Sequence, residues 1–137
     1  MNALAFAIYL LPPIQLGPDG QRMGQITIGE FTEQFACHPT TATVDQMETV
    51  WQGRLRALIA GERTAVLKHD PRFAWVIYRE GNNCFVQQRL SVNGAFKDIL
   101  PRRVLNDDRH EISEWSVTVA QISDFLDRCD RLGAPRN

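Results

Sequence analysis

The sequence predicts an α+β domain: a mainly antiparallel sheet of about five to six strands with two principal helices packed on it. Three observations predict it. Two aromatic and β-branched runs, 73–78 and 84–92, flank the short turn Gly81-Asn82; both turn residues tolerate positive φ, and a tight hairpin means antiparallel pairing. Two other stretches, 44–59 and 121–132, carry apolar residues at three- and four-residue spacing, the period of a helix with one buried face. The 137 residues show no internal repeat and no linker, so residues 1–137 read as a single domain around one core.

The elements follow in chain order. Residues 3–11, ALAFAIYLL, have the composition of a signal-peptide core. Yet no Lys or Arg precedes them, and Pro12-Pro13 follows in place of a cleavage site. They are too short to span a membrane and read as a buried strand. Residues 16–24, rich in Gly, Pro and Asp, are a loop. Ile26 and Ile28 alternate and start a strand in the segment Gln25 to Phe35. After a loop at His38-Pro39-Thr40-Thr41, Thr43 with Gln46 forms a capping box ahead of a helix. Its stripe is Val44, Met47, Trp51, Leu55, Leu58 and Ile59, and Gly61 stops it.

Thr64 to Lys68 is a short strand, broken by Asp70-Pro71. Phe73 to Tyr78 is the strongest strand signal in the chain, and Cys84 to Val92 returns from it. In the returning strand Cys84, Val86, Leu90 and Val92 share a side that Gln88 interrupts. Residues 95–111 read mostly as loop, and Ile112 to Val119 alternates as a strand. A last helix, about Gln121 to Leu132, buries Ile122, Phe125, Leu126 and Cys129 and ends before Gly133-Ala134-Pro135.

Composition excludes several functions. Fifteen basic and sixteen acidic residues leave a net charge of −1, unsuited to neutralising a phosphate backbone or coating an anionic membrane. The odd, widely spaced Cys37, Cys84 and Cys129 form no CxxC, which argues against a zinc ribbon and fits free thiols in a reducing, cytoplasmic setting. His38, His69 and His110 show no metal-ligand spacing and read as exposed loop residues. His69-Asp70 has the makings of an oriented base, but no GxSxG, GxGxxG or P-loop string accompanies it. Catalytic, metal and cofactor residues are therefore expected to be absent, and the domain is expected to work by binding rather than as an enzyme. Trp75, Tyr78 and Trp115 read as core. The acidic residues are the exception to a bland surface. Asp107, Asp108, Glu111 and Glu114 cluster, and Glu30 with Glu33 adds a second pair; such groups are either a solvated face or a surface complementary to a basic partner.

Several strings together resemble the immunity proteins of bacterial contact-dependent growth inhibition systems, the CdiI-like family. They are Ile26-Thr27-Ile28-Gly29-Glu30-Phe31, the Trp51 helix, Trp75 leading to Tyr78-Arg79-Glu80-Gly81-Asn82, then Gln88, Leu90 and Ile112-Ser113-Glu114-Trp115. The resemblance spans residues 25–125. Asp107-Asp108-Arg109-His110 stands where members often carry an Asp-Gly turn, and residues 1–24 extend beyond where such proteins often begin. That extension is either an added edge strand or upstream of a start at Met23.

The resemblance implies a small, cytoplasmic, non-enzymatic protein. It would bind the toxic C-terminal domain of a large exported effector, commonly a nuclease with a basic substrate-facing surface. It implies no cofactor, no direct nucleic-acid partner and no membrane. Asp107, Asp108, Glu111, Glu30 and Glu33 are then the expected partner-binding residues, their carboxylates standing where phosphates would. The alternatives are a general protein-interaction domain or a small RNA- or ligand-binding α+β domain.

Overall fold

The computed structural model describes residues 4–38, 43–91 and 113–132. Among them, the order is β1 (Phe6–Leu10), β2 (Met23–Ile28), β3 (Phe31–Ala36), α1 (Val44–Ala60), β4 (Thr64–Lys68), β5 (Phe73–Glu80), β6 (Asn83–Leu90), β7 (Glu114–Thr118) and α2 (Val119–Leu132). The class is α+β as the sequence predicts. Instead of one sheet, though, seven strands form two antiparallel meanders, β1-β2-β3 and β4-β5-β6-β7.

Sequence reading took the Gln25–Phe35 segment as one strand region and missed the break inside it. Gly29 adopts φ 61°, a conformation that glycine reaches without steric cost. The chain reverses there, and Ile28 pairs with Phe31 in a β2–β3 hairpin. The apolar run at the N-terminus is a strand of this first sheet, with every residue from Phe6 to Leu10 buried. Its outward edge is covered by α1, where Glu48 Oε2 accepts the Leu10 N–H at 2.8 Å. A carboxylate on a strand edge satisfies the backbone and blocks further pairing.

Residues of one pleat face meet the helices. Phe6, Ile8 and Leu10 pair across to Ile28, Ile26 and Gly24. On the second sheet Leu67 pairs with Trp75, Ile77 with Val86, and Val86 with Trp115. These faces, with Met47, Trp51, Leu55 and Leu58 of α1 and Ile122, Phe125, Leu126 and Cys129 of α2, form one core cluster. The buried residues of both helices are those that their periodicity marks.

The helix ends are also encoded locally. The Thr43 N–H donates to Gln46 Oε1 at 3.1 Å, the return half of the expected capping box. A second box went unread in the sequence: Thr118 N–H donates to Gln121 Oε1 at 2.9 Å, and Gln121 N–H to Thr118 Oγ1 at 3.1 Å. It starts α2 directly after β7, two residues earlier than the apolar stripe marks.

Tyr78 is buried as expected, though in a second cluster, and one strand assignment needs correction. Trp75 lies in the main core, whereas Tyr78 lies on the opposite face of β5 with Ala74 and Val76, as odd and even positions of a strand must. Leu90, expected on the buried side of β6, is 51% exposed. Gln87, on the other side, is fully buried and donates to Glu114 Oε2 at 2.8 Å. The expected loop at 95–111 and the helix stop at Gly133 lie outside the described residues.

Arg79 explains part of the family-like string around the hairpin. Its Nη1 donates to the carbonyl oxygens of Leu58 and Ile59, each at 2.8 Å, and its Nε to Gly81 O at 2.8 Å. The guanidinium thus ties the C-terminus of α1 to the β5–β6 turn, where a cation also meets the negative end of the helix dipole. Arg79→Ala leaves those carbonyls without the donor and should cost about 2 kcal/mol, a fall in thermal midpoint of roughly 5–8 °C. Arg79→Lys, a single point donor, should recover only part of it. An unchanged midpoint for Arg79→Ala in a calorimetric scan would contradict this role.

Candidate functional site

The two sheets share no strand, and aromatic rings join them. Phe35 of β3 lies 5.9 Å from Trp51 of α1, 6.0 Å from Trp75 of β5 and 4.6 Å from His69, centroid to centroid. Trp75 continues to Trp115 of β7 at 6.1 Å, and Trp115 stacks on Phe31 at 4.1 Å with planes 21° apart. The seam therefore starts and ends on β3. Gly24 makes room for it: a Cβ there would stand 2.6 Å from the Phe35 ring.

This seam positions the acidic hairpin. Glu30 follows Gly29 in the turn and is exposed. Strand alternation puts Glu33 on the same side of β3 as Phe31 and Phe35, beside the seam and half-buried. Burial raises its carboxyl pKa above the ordinary value, because a charge loses hydration there. The Phe31–Trp115 stack pins the hairpin to β7, shortly after the acidic stretch that precedes this strand in the sequence. Asp107, Asp108 and Glu111 of that stretch lie outside the described residues. Glu114 is half-buried and bonded to Gln87, so it belongs to the sheet and not to an open acidic face.

The histidines divide differently from expectation. His38 is exposed, as read, and His110 lies outside the described residues. His69 is only 4% exposed. Its place is set by aromatic packing, which no local pattern reveals. Nor does it pair with Asp70 as an acid–base dyad. Its Nδ1 is 3.0 Å from Ala36 O, while Asp70 Oδ1 accepts the Arg72 N–H at 3.1 Å in its own turn.

The cysteines are all buried and free. Burial pushes the Cys37 thiol up to about 12 and the Cys84 thiol up to about 11, which keeps them protonated and poorly nucleophilic. Among the described residues no three His, Cys, Asp or Glu side chains gather where they could hold a metal ion. No helix among them is long and apolar enough to cross a membrane.

One surface feature escaped the sequence reading. Phe73 and Leu90 face each other across β5 and β6 and are 38% and 51% exposed. They share the core-facing side of the sheet with Trp75 and Gln88 but lie past the part that is covered. The interruption of the apolar side at Gln88, which is itself exposed, was the available signal.

A family model described as the CdiI N-terminal domain matches residues 39–125. No curated protein matches. A solved structure, the CdiA-CT/CdiI toxin and immunity complex from Enterobacter cloacae, contains a chain with the same fold. The TM-score is 0.71 at 18% identity, covering 92% of the present chain and 99% of that one.

Glu33 gives a direct check on the seam's edge. A carboxyl whose pKa is raised on folding disfavours the folded state once ionised, and the effect fades as pH falls and both states protonate. Glu33→Gln is therefore expected to keep or raise the thermal midpoint at pH 7, with the difference shrinking toward about pH 4. A midpoint lowered by more than about 2 °C at pH 7 would mean that the carboxylate makes stabilising contacts.

Proposed function

The chain belongs to the CdiI N-terminal domain family, and from that premise we propose that it is an immunity protein that binds and neutralises the toxic C-terminal domain of a contact-dependent growth inhibition effector. The family match across most of the chain carries the reading, and the shared fold with a chain of a toxin and immunity complex supports it. We take residues 1–137 as one immunity unit, acting in the cytoplasm without chemistry of its own. The partner is a nuclease domain in this reading. Neutralisation then means covering a surface that the toxin's substrate needs.

The toxin-facing surface in this proposal is acidic. Glu30 and Glu33 sit on a hairpin fixed beside its turn by the Phe31–Trp115 stack, so their carboxylates are presented without much ordering cost. Asp107, Asp108 and Glu111 complete the set. A carboxylate facing toxin Lys or Arg forms charge-assisted hydrogen bonds where a phosphate would otherwise lie. The exposed Phe73–Leu90 pair offers apolar area of the kind found at interface centres.

Co-expression with the C-terminal toxin domain of its cognate contact-dependent growth inhibition effector should yield a complex that co-purifies and should restore growth. No complex and no rescue would overturn the immunity reading. Within a complex, Asp107→Lys, Asp108→Lys and Glu111→Lys together should weaken binding at least about tenfold, with the thermal midpoint almost unchanged. Glu30→Lys with Glu33→Gln should weaken it in the same direction. Unaltered affinity in both sets, measured by calorimetry, would remove the acidic surface from the interface.

A further inference from the structure

His69 stands where the end of β3 meets the turn between β4 and β5. Backbone and side chain both take part in this junction. The His38 N–H donates to His69 O at 2.7 Å, and the His69 N–H to Phe73 O at 3.3 Å. The ring's Nδ1, 3.0 Å from Ala36 O, faces an acceptor and so carries the hydrogen. Nε2 is then the lone-pair nitrogen. Among the described residues it is buried with no hydrogen-bond partner. The ring packs against Phe35 at 4.6 Å and against Phe73 and Trp75 at 6.4 Å each.

The neutral ring fits this site and the protonated ring does not. A proton taken from solvent onto Nε2 adds a second N–H donor and a charge where no acceptor waits among the described residues. The groups facing the ring decide how far it resists. From its own turn, Asp70 favours the charged form, as does the Ala36 carbonyl from β3. His38, beyond the end of β3, opposes it. Phe73 and Trp75 of β5 and Phe35 of β3 are apolar. Burial outweighs these attractions and lowers the pKa below its ordinary value.

We propose that His69 is an acid-operated latch between the two sheets: the neutral ring holds the end of β3 to the β4–β5 turn, and protonation of Nε2 releases that link. The sign follows from linkage. The folded pKa lies below the unfolded value of about 6.5, so the stability contributed by neutral His69 is complete above that value. It declines as pH falls through about 6.5 toward the folded pKa. The first consequence is local. The His38 amide, bonded to His69 O, loses its protection while the helix amides keep theirs.

The test uses the full chain with His38→Gln and His110→Gln, which leaves one imidazole to follow by NMR. His69 should titrate below the ordinary histidine value of about 6.5, and the His38→Gln backbone amide should lose several-fold, up to about tenfold, in hydrogen-exchange protection between pH 7.5 and 5.5. Adding His69→Asn, which keeps a donor near Nδ1 but cannot titrate, should abolish most of that pH dependence. If this variant fails to fold, the titration and protection in its parent still decide. An imidazole that titrates at 6.5 or above would overturn the latch. So would protection that is independent of pH, or that falls equally in the His69→Asn chain.

Discussion

Phe35 is the contact on which the rest of the structure depends. Two meanders with no common strand have no backbone ladder to hold them, so side chains must. Phe35 touches α1 through Trp51, the second sheet through Trp75 and the junction through His69. Truncating a buried ring of this kind typically costs about 3–5 kcal/mol, a large share of the stability of a small domain. The contact has two supports. Gly24 leaves the space that the ring occupies, and Trp51 Nε1 donates to Lys68 O at 2.8 Å, fixing α1 against β4.

That seam also determines what can serve as a surface. It turns one side of β3 inward, which leaves Glu33 half-buried between Phe31 and Phe35 while Glu30 projects from the turn. A flexible acidic loop would have to be ordered on binding; an acidic hairpin seated on a ring stack is ordered beforehand. The helices carry the opposite kind of task. Their buried residues close the core, and Arg79 and Glu48 join them to strands through charged hydrogen bonds. In the proposed reading, binding falls to the acidic hairpin, while the helices close the core.

Local signals were largely legible. The capping box at Thr43, the Gly61 stop, both helix stripes and the Gly81 turn each depend on residues within a few positions of one another. The Thr118–Gln121 box was equally local and equally readable, and went unread because strand alternation through Val119 masked it. The Gly29 turn was hidden in the same way, by apolar residues continuing on either side. The acidic pair on the β2–β3 hairpin was visible as composition, but its seating on the seam was not.

The sequence by itself determined the class of fold, the positions of the helices and most strands, and the membership that its strings point to, because propensity, periodicity and capping act over short distances. Tertiary structure alone decided that the strands divide into two sheets and that the Tyr78 face of β5 is buried as well. It alone buried His69 and left Leu90 outside. Those outcomes depend on which faces meet between segments distant in the chain, and for His69 on apolar rings from β3 and β5 closing over it. No periodicity records such a meeting, since the same alternating pattern is written whether its face is covered by a neighbour or left to water.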